Sequence, residues 1–239
     1  HSGWHGNPET QGDWSKPEQS QTRDRRYQMQ KVDFKHVLKA LNAPPADRFV
    51  KVEVPPMWFV KVDGTGDPNT APAYQQAVQC LYGVSYGMKF AAKQKREQDY
   101  VVPPLEGLWW ADDPVAFTAR KKDLWRWTMM IMVPDFVTRE MFDAAVTKTQ
   151  NKNGTLPQSL RFERYEEGRA LQTLHIGPYD AEAPTLAALH DRIMPDRGLT
   201  FNGAHHEIYL SDPRRTAPAR LRTILRQPVR PGTRNADPT

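Results

Sequence analysis

One order of elements occurs twice in this 239-residue chain, and it restricts the possible folds more than any other feature. The first copy opens with a strand over residues 49–62 that runs into Asp63-Gly64-Thr65-Gly66-Asp67. A helix follows over 74–93, with Val78, Leu81, Met88 and Ala92 on one face at helical spacing. Two strands come next, over 101–110 and 124–133, and Thr138 is placed to cap a connecting helix that runs to about residue 148. The second copy opens with a hairpin, 160–165 turning through Glu166-Glu167-Gly168 into 169–176, and ends at Gly177-Pro178-Tyr179-Asp180. A helix with Pro184 in its first turn carries Leu186, Leu189 and Ile193 on one face, and strands over 205–211 and 221–228 follow. The copies align: Gly64 falls on Gly177, LEGLWW on HEIYLS, and the last strand of each runs into a proline, Pro134 or Pro228.

Such units bury their strands by lying side by side. The prediction is an α+β fold in which a strand–helix–strand–strand unit is duplicated about a pseudo-two-fold. It gives a curved antiparallel sheet with helices on one face and a central ligand cleft on the other. The repeat places one domain over 31–229, with halves at about 48–135 and 158–229. Residues 1–30, polar and poor in aliphatic side chains, read as a disordered leader, and 230–239 as a flexible tail. Residues 33–41 read as a short helix stopped by Pro44-Pro45.

Several function classes are excluded at this level. Cys80 is the single cysteine, so there is no intramolecular disulfide, and a cytoplasmic location is expected. No apolar run reaches the ~18 residues that span a membrane. The net charge of +5 bears on encounter rather than fold, and without a recognisable module no specific nucleic-acid partner is expected. HExxH and CxxC motifs are missing, Gly64-Thr65-Gly66 is too short for a phosphate loop, and neither a metal nor a cofactor is expected.

The chemistry-bearing residues cluster in the strands. Four of the seven tryptophans, Trp109, Trp110, Trp125 and Trp127, fall between Leu105 and Phe136, more than packing needs when each indole N–H wants a partner. In the strand from His205, alternation puts Ile208 and Leu210 on one face and Glu207 and Tyr209 on the other, toward the cleft. A carboxylate among aromatic rings suits a general base or a cation anchor. Glu106 takes the equivalent position through the repeat. Tyr179, after a Gly-Pro turn at the cleft edge, and His175 are candidate proton donors.

The runs PLEGLWW, DLWRWTMMIMVPDFVT, HIGPYD and HHEIYLSDPRRTAPARLRTILRQPV resemble the GyrI-like small-molecule-binding family over roughly residues 48–229. The resemblance implies the duplicated fold, a central cleft, and a ligand-facing carboxylate at Glu207. Within the family, this chain resembles the free-standing, Trp-rich proteins that hydrolyse the cyclopropane ring of cyclopropanoid DNA-alkylating natural products such as yatakemycin. That implies a detoxifying hydrolase for planar aromatic molecules, with antibiotic resistance as its outcome. The alternative is a non-catalytic protein that binds or sequesters such molecules. Glu207, Glu106 and Tyr179 are the expected catalytic groups. Trp109, Trp110, Trp125, Trp127, Tyr209 and His175 are the expected ligand contacts.

Overall fold

A computed structural model describes residues 30–113 and 120–232. The expected leader falls almost wholly outside these residues, as does most of the expected tail. The elements, in chain order, begin with β1 (Lys31–Val32), α1 (Phe34–Val37), α2 (Lys39–Asn42), β2 (Val50–Val54), β3 (Met57–Thr65) and α3 (Pro72–Arg96). Next come β4 (Asp99–Tyr100), β5 (Leu105–Trp110), β6 (Arg126–Val133), α4 (Arg139–Asn153), β7 (Arg161–Tyr165) and β8 (Gly168–Ile176). The chain closes with α5 (Ala183–Ala188), α6 (Met194–Asp196), β9 (Leu199–Phe201), β10 (His205–Tyr209) and β11 (Arg222–Pro231).

Nine strands form one large sheet, with the path β2-β8-β11-β10-β5-β6-β3-β7 and β9 pairing with β11. All of its pairs are antiparallel. This is the expected α+β class. The sheet is forced to curve. Pro55-Pro56 interrupts the first long strand, because proline offers no ladder N–H. The resulting β2 and β3 lie toward opposite ends of the path, yet Val54 and Met57 are three residue steps apart, at most about 11 Å. The turn between β7 and β8 makes the same crossing in the second half. The expected hairpin at Glu166-Glu167-Gly168 therefore does not form: β7 pairs with β3, and β8 with β2 and β11. Each half lends an edge strand to the other.

Two layers cover the sheet face that carries Trp109 and Trp127. Over the first half, α3 buries Leu81, Val84 and Met88 against Val60, Val62, Met129 and Ile131, with α4 packed alongside. The Thr138 side chain caps α4, accepting from the Met141 N–H at 3.4 Å. Truncating a buried leucine here costs about 2–5 kcal/mol. Over the second half, Leu189 and Met194 pack on Phe49, Leu171 and Val229. A π-turn, Leu189–Ile193, joins α5 to α6. Pro195, just beyond it, has no N–H for the regular i−4 bond, and the wider turn accommodates that loss.

The opposite face is sealed by α1 and α2. Arg226 donates to the Leu41 carbonyl at 3.0 Å, and Gln172 to that of Ala40 at 2.9 Å. Among the described residues, that face keeps only a small cavity of about 20 Å³ beside α1 and α2. The cleft opens on the face covered by α3 and α5, in the gap between those two helices, where the two halves meet. Its displacement from the predicted face follows from the crossed edge strands, which curl the sheet around a filled interior.

Candidate functional site

The cleft measures about 1440 Å³, larger than the ~300–1,000 Å³ of ordinary small-molecule sites. Strands β5 and β10 form its floor. Their register sets Glu207 directly across from Gly107, and Trp109 across from His205. Gly107 matters because a Cβ there would lie 2.6 Å from the Trp109 indole nitrogen. Without one, the indole folds over the strand and donates to the Tyr209 hydroxyl at 2.9 Å. Tyr209 in turn donates to Glu207 Oε2 at 2.7 Å, and His205 Nε2 lies 3.3 Å from Glu207 Oε1. The walls come from Tyr74, Val78 and Tyr82 on α3, from Glu182, Leu186 and His190 on and beside α5, and from Trp125 and Tyr179. Trp125 meets Trp109 edge-on with centroids 5.7 Å apart, and Tyr179 meets Tyr209 at 5.8 Å.

Two carboxyl groups share this space in opposite ionisation states. Burial pushes Glu207 up, but the hydrogen bonds from His205 and Tyr209 and the charge of Arg120 outweigh it and hold the carboxyl below its usual value. Glu182 is buried and beside that negative charge; desolvation first, and the Glu207 charge second, push it up to about 10. At neutral pH the cleft thus holds a carboxylate next to a carboxylic acid. The acid's Oε1 is buried with no hydrogen-bond partner among the described residues. Tyr179 is pushed up to about 12 by burial and then by Glu182 and Glu207, so its phenol keeps its proton. Arg120 and Lys122 both pair with Asp180, at 2.8 and 3.2 Å, and bind the β5–β6 connection to the turn before α5 at the mouth.

The sequence candidates divide. Glu207, Tyr209, Tyr179, Trp109 and Trp125 converge on the cleft. Trp127 does not line it: fully buried beneath α3, it lies over Gly64, where a Cβ would sit 2.1 Å from its ring, and donates to the Gly66 carbonyl at 3.3 Å. Trp110 points to the opposite face, with Phe59, Leu108 and Met130. His175 turns back on its own loop, 3.1 Å from the Pro178 carbonyl. Glu106 also lies on the opposite face, because it pairs with Ile208 rather than Glu207. A one-residue offset between aligned copies reverses every side chain of a strand. There Glu106 contacts His206 Nε2 at 2.8 Å, while His206 Nδ1 contacts Glu167 at 2.8 Å and Arg226 donates to Glu167 at 3.1 Å. This is a buried structural network behind the cleft floor. Sequence reasoning missed Glu182, His190 and Tyr74. Glu182 was within reach, one helical turn before Leu186 on the face already singled out.

The family model for the GyrI-like small molecule binding domain matches residues 49–230, and the chain belongs to that family. A solved structure of an uncharacterized conserved protein from Listeria innocua is similar at 40% identity and a TM-score of 0.76, covering 84% of this chain and all of that one. Two structures described as hydrolases from Listeria innocua, one of them encoded by lin2189, are each 38% identical over the same shares, with TM-scores of 0.71 and 0.74. No curated protein matches the chain. Among the described residues, no group of metal-ligating side chains is placed to hold an ion, and no helix is long and apolar enough to cross a membrane.

Proposed function

We propose that this protein binds planar aromatic molecules between α3 and α5 and hydrolyses the cyclopropane ring of cyclopropanoid DNA-alkylating agents. The observation that carries the reading is a pair of neighbouring buried carboxyl groups, Glu207 and Glu182, inside a cleft walled by Trp109, Trp125, Tyr74 and Tyr179, whose surroundings favour charge on the first and the proton on the second. The hydrolase descriptions of two structures 38% identical to this chain support it.

In this mechanism the flat ring system stacks among the tryptophans and tyrosines, and its spiro-cyclopropane lies over Glu207. Glu207 takes a proton from water as the water oxygen bonds to the exposed methylene carbon. The ring C–C bond breaks, and its electron pair moves into the dienone, which becomes a phenol. Glu182 gives its proton to the dienone oxygen, with Tyr179 as a second hydrogen-bond donor. Proton return from Glu207 to Glu182 resets the pair. A positioned base and acid each contribute about 10²–10⁴-fold, and aromatisation supplies the driving force. Replacing Glu207 with Gln is expected to slow ring opening by at least about 10²-fold while leaving binding intact. Ring opening at the parent rate in that variant would remove Glu207 as the base.

A further inference from the structure

On the α5 side of the cleft, beyond Glu207, stands a histidine that the reaction above does not use. His190 follows Ala183, Leu186 and Ala187 at helical spacing, so it shares their cleft-lining face. Its ring meets Phe201, another lining residue, edge-on with centroids 5.0 Å apart. Its Nε2 is buried and has no hydrogen-bond partner among the described residues. A buried nitrogen left so is unfavourable by an amount comparable to a hydrogen bond, and its presence calls for an explanation. Packing against Phe201 does not supply one, because phenylalanine would pack as well without the penalty. Burial, and then the neighbouring His205, lower the pKa of His190 to about 4. The imidazole is therefore neutral at physiological pH and offers one donor and one acceptor without a charge.

We infer that His190 reads the ligand: its imidazole forms a hydrogen bond with a neutral polar group, a carbonyl or an N–H, on the edge of the planar molecule held over Glu207. The inference rests on the functional reading above and adds a requirement to it. The ligand class becomes flat aromatic molecules bearing an amide-like or carbonyl group at the end that faces Phe201. A purely hydrocarbon ring system of the same size leaves the nitrogen unsatisfied and binds less well. His190 acts in binding, and the proton transfers belong to the two glutamates.

The test uses yatakemycin as probe and the Glu207→Gln protein as parent, so that binding is measured without turnover, through quenching of tryptophan fluorescence. His190→Phe keeps the ring and its contact with Phe201 but removes the nitrogen; His190→Gln restores a hydrogen-bonding group. The expected result is a Kd about tenfold or more weaker in the Phe variant and largely recovered in the Gln variant. In protein retaining Glu207, His190→Phe should leave kcat within about twofold and raise KM. The Phe variant should melt at or above the parent temperature. A Phe variant that binds like the parent overturns the inference, as does a Gln variant that binds as weakly as Phe, or weaker binding accompanied by a lower melting temperature. A parent that leaves yatakemycin unbound overturns the functional reading itself, a result distinct from any of these.

Discussion

Glu182 and Glu207 are chemically identical side chains that their surroundings drive apart. Both are buried and both feel Arg120, but Glu207 has hydrogen bonds from His205 and Tyr209, whereas Glu182 has the negative charge of Glu207 beside it. The proposed mechanism makes this difference visible in a pH profile. Turnover should fall only below the ordinary carboxylate range, as Glu207 takes up its proton, and again near pH 10, as Glu182 loses its own. Both limbs belong to the pair rather than to either residue alone. Measuring kcat/KM from pH 3.5 to 11 checks this, and a limb between pH 6 and 8 would assign the chemistry to other groups. The same arrangement has a stability cost. Glu182 is protonated in the fold, whereas in the unfolded chain it ionises near 4.5, so the fold loses stability as pH rises above 4.5 toward 10. Glu182→Gln keeps the shape and removes that dependence. The variant should melt higher at pH 8, by roughly 2–4 °C for each kcal/mol recovered, while turning over at least about 10²-fold more slowly. A lower melting temperature would mean that the Glu182 carboxyl is satisfied as it stands.

At the level of elements, the site depends on the register of β5 against β10. Gly107 is where that register meets the chemistry, since it makes room for the indole that orders Tyr209 and, through it, Glu207. Gly107→Ala drives a methyl group into Trp109. The expected cost is about 1–3 kcal/mol of stability, with ligand affinity lost in the same variant. Chemical denaturation and fluorescence quenching read the two effects, and unchanged binding would show that the indole position is dispensable. Strand periodicity carried much of this information. Alternation in β10 was enough to put Glu207 and Tyr209 together, because a period of two is fixed once one apolar residue is known to be buried. It misplaced Glu106, because matching two weakly similar copies left the offset uncertain by one residue. It also gave a hairpin at Glu166-Glu167-Gly168, where the turn residues were right but the partners were not. Glu167 is drawn across the sheet interior by His206 and Arg226, a tertiary contact that no local pattern encodes. Helical spacing from Leu186 puts Glu182 on the cleft-facing side, but a glutamate at a helix start is ordinary until a second carboxyl is known to lie beside it.

The molecule as a whole places its site between two half-domains and holds them from behind. The network of Glu106, His206, Glu167 and Arg226 spans strands of both halves and reaches the N-terminal segment through Leu41. Burial disfavours charge on His206, but Glu167 and Glu106 at its two nitrogens prevail and push it up to about 9. With an unfolded value near 6.5, this contribution is complete below pH 6.5 and is lost as pH rises through 9, on the order of 3 kcal/mol in all. Urea denaturation across pH 6–10 should show the decline. His206→Leu, which strands two carboxylates, should destabilise by about 3–5 kcal/mol at pH 6.5 and flatten the profile. A parent stability independent of pH over that range would contradict a charged His206. Whether the cleft performs hydrolysis or merely holds its ligand is decided by incubating the protein with excess yatakemycin and following the compound by mass spectrometry. A hydrolase gives product heavier by one water, formed over many turnovers and dependent on Glu207. Recovery of the intact compound from a stable complex after denaturation would rule hydrolysis out and make the two glutamates anchors in a sequestering protein.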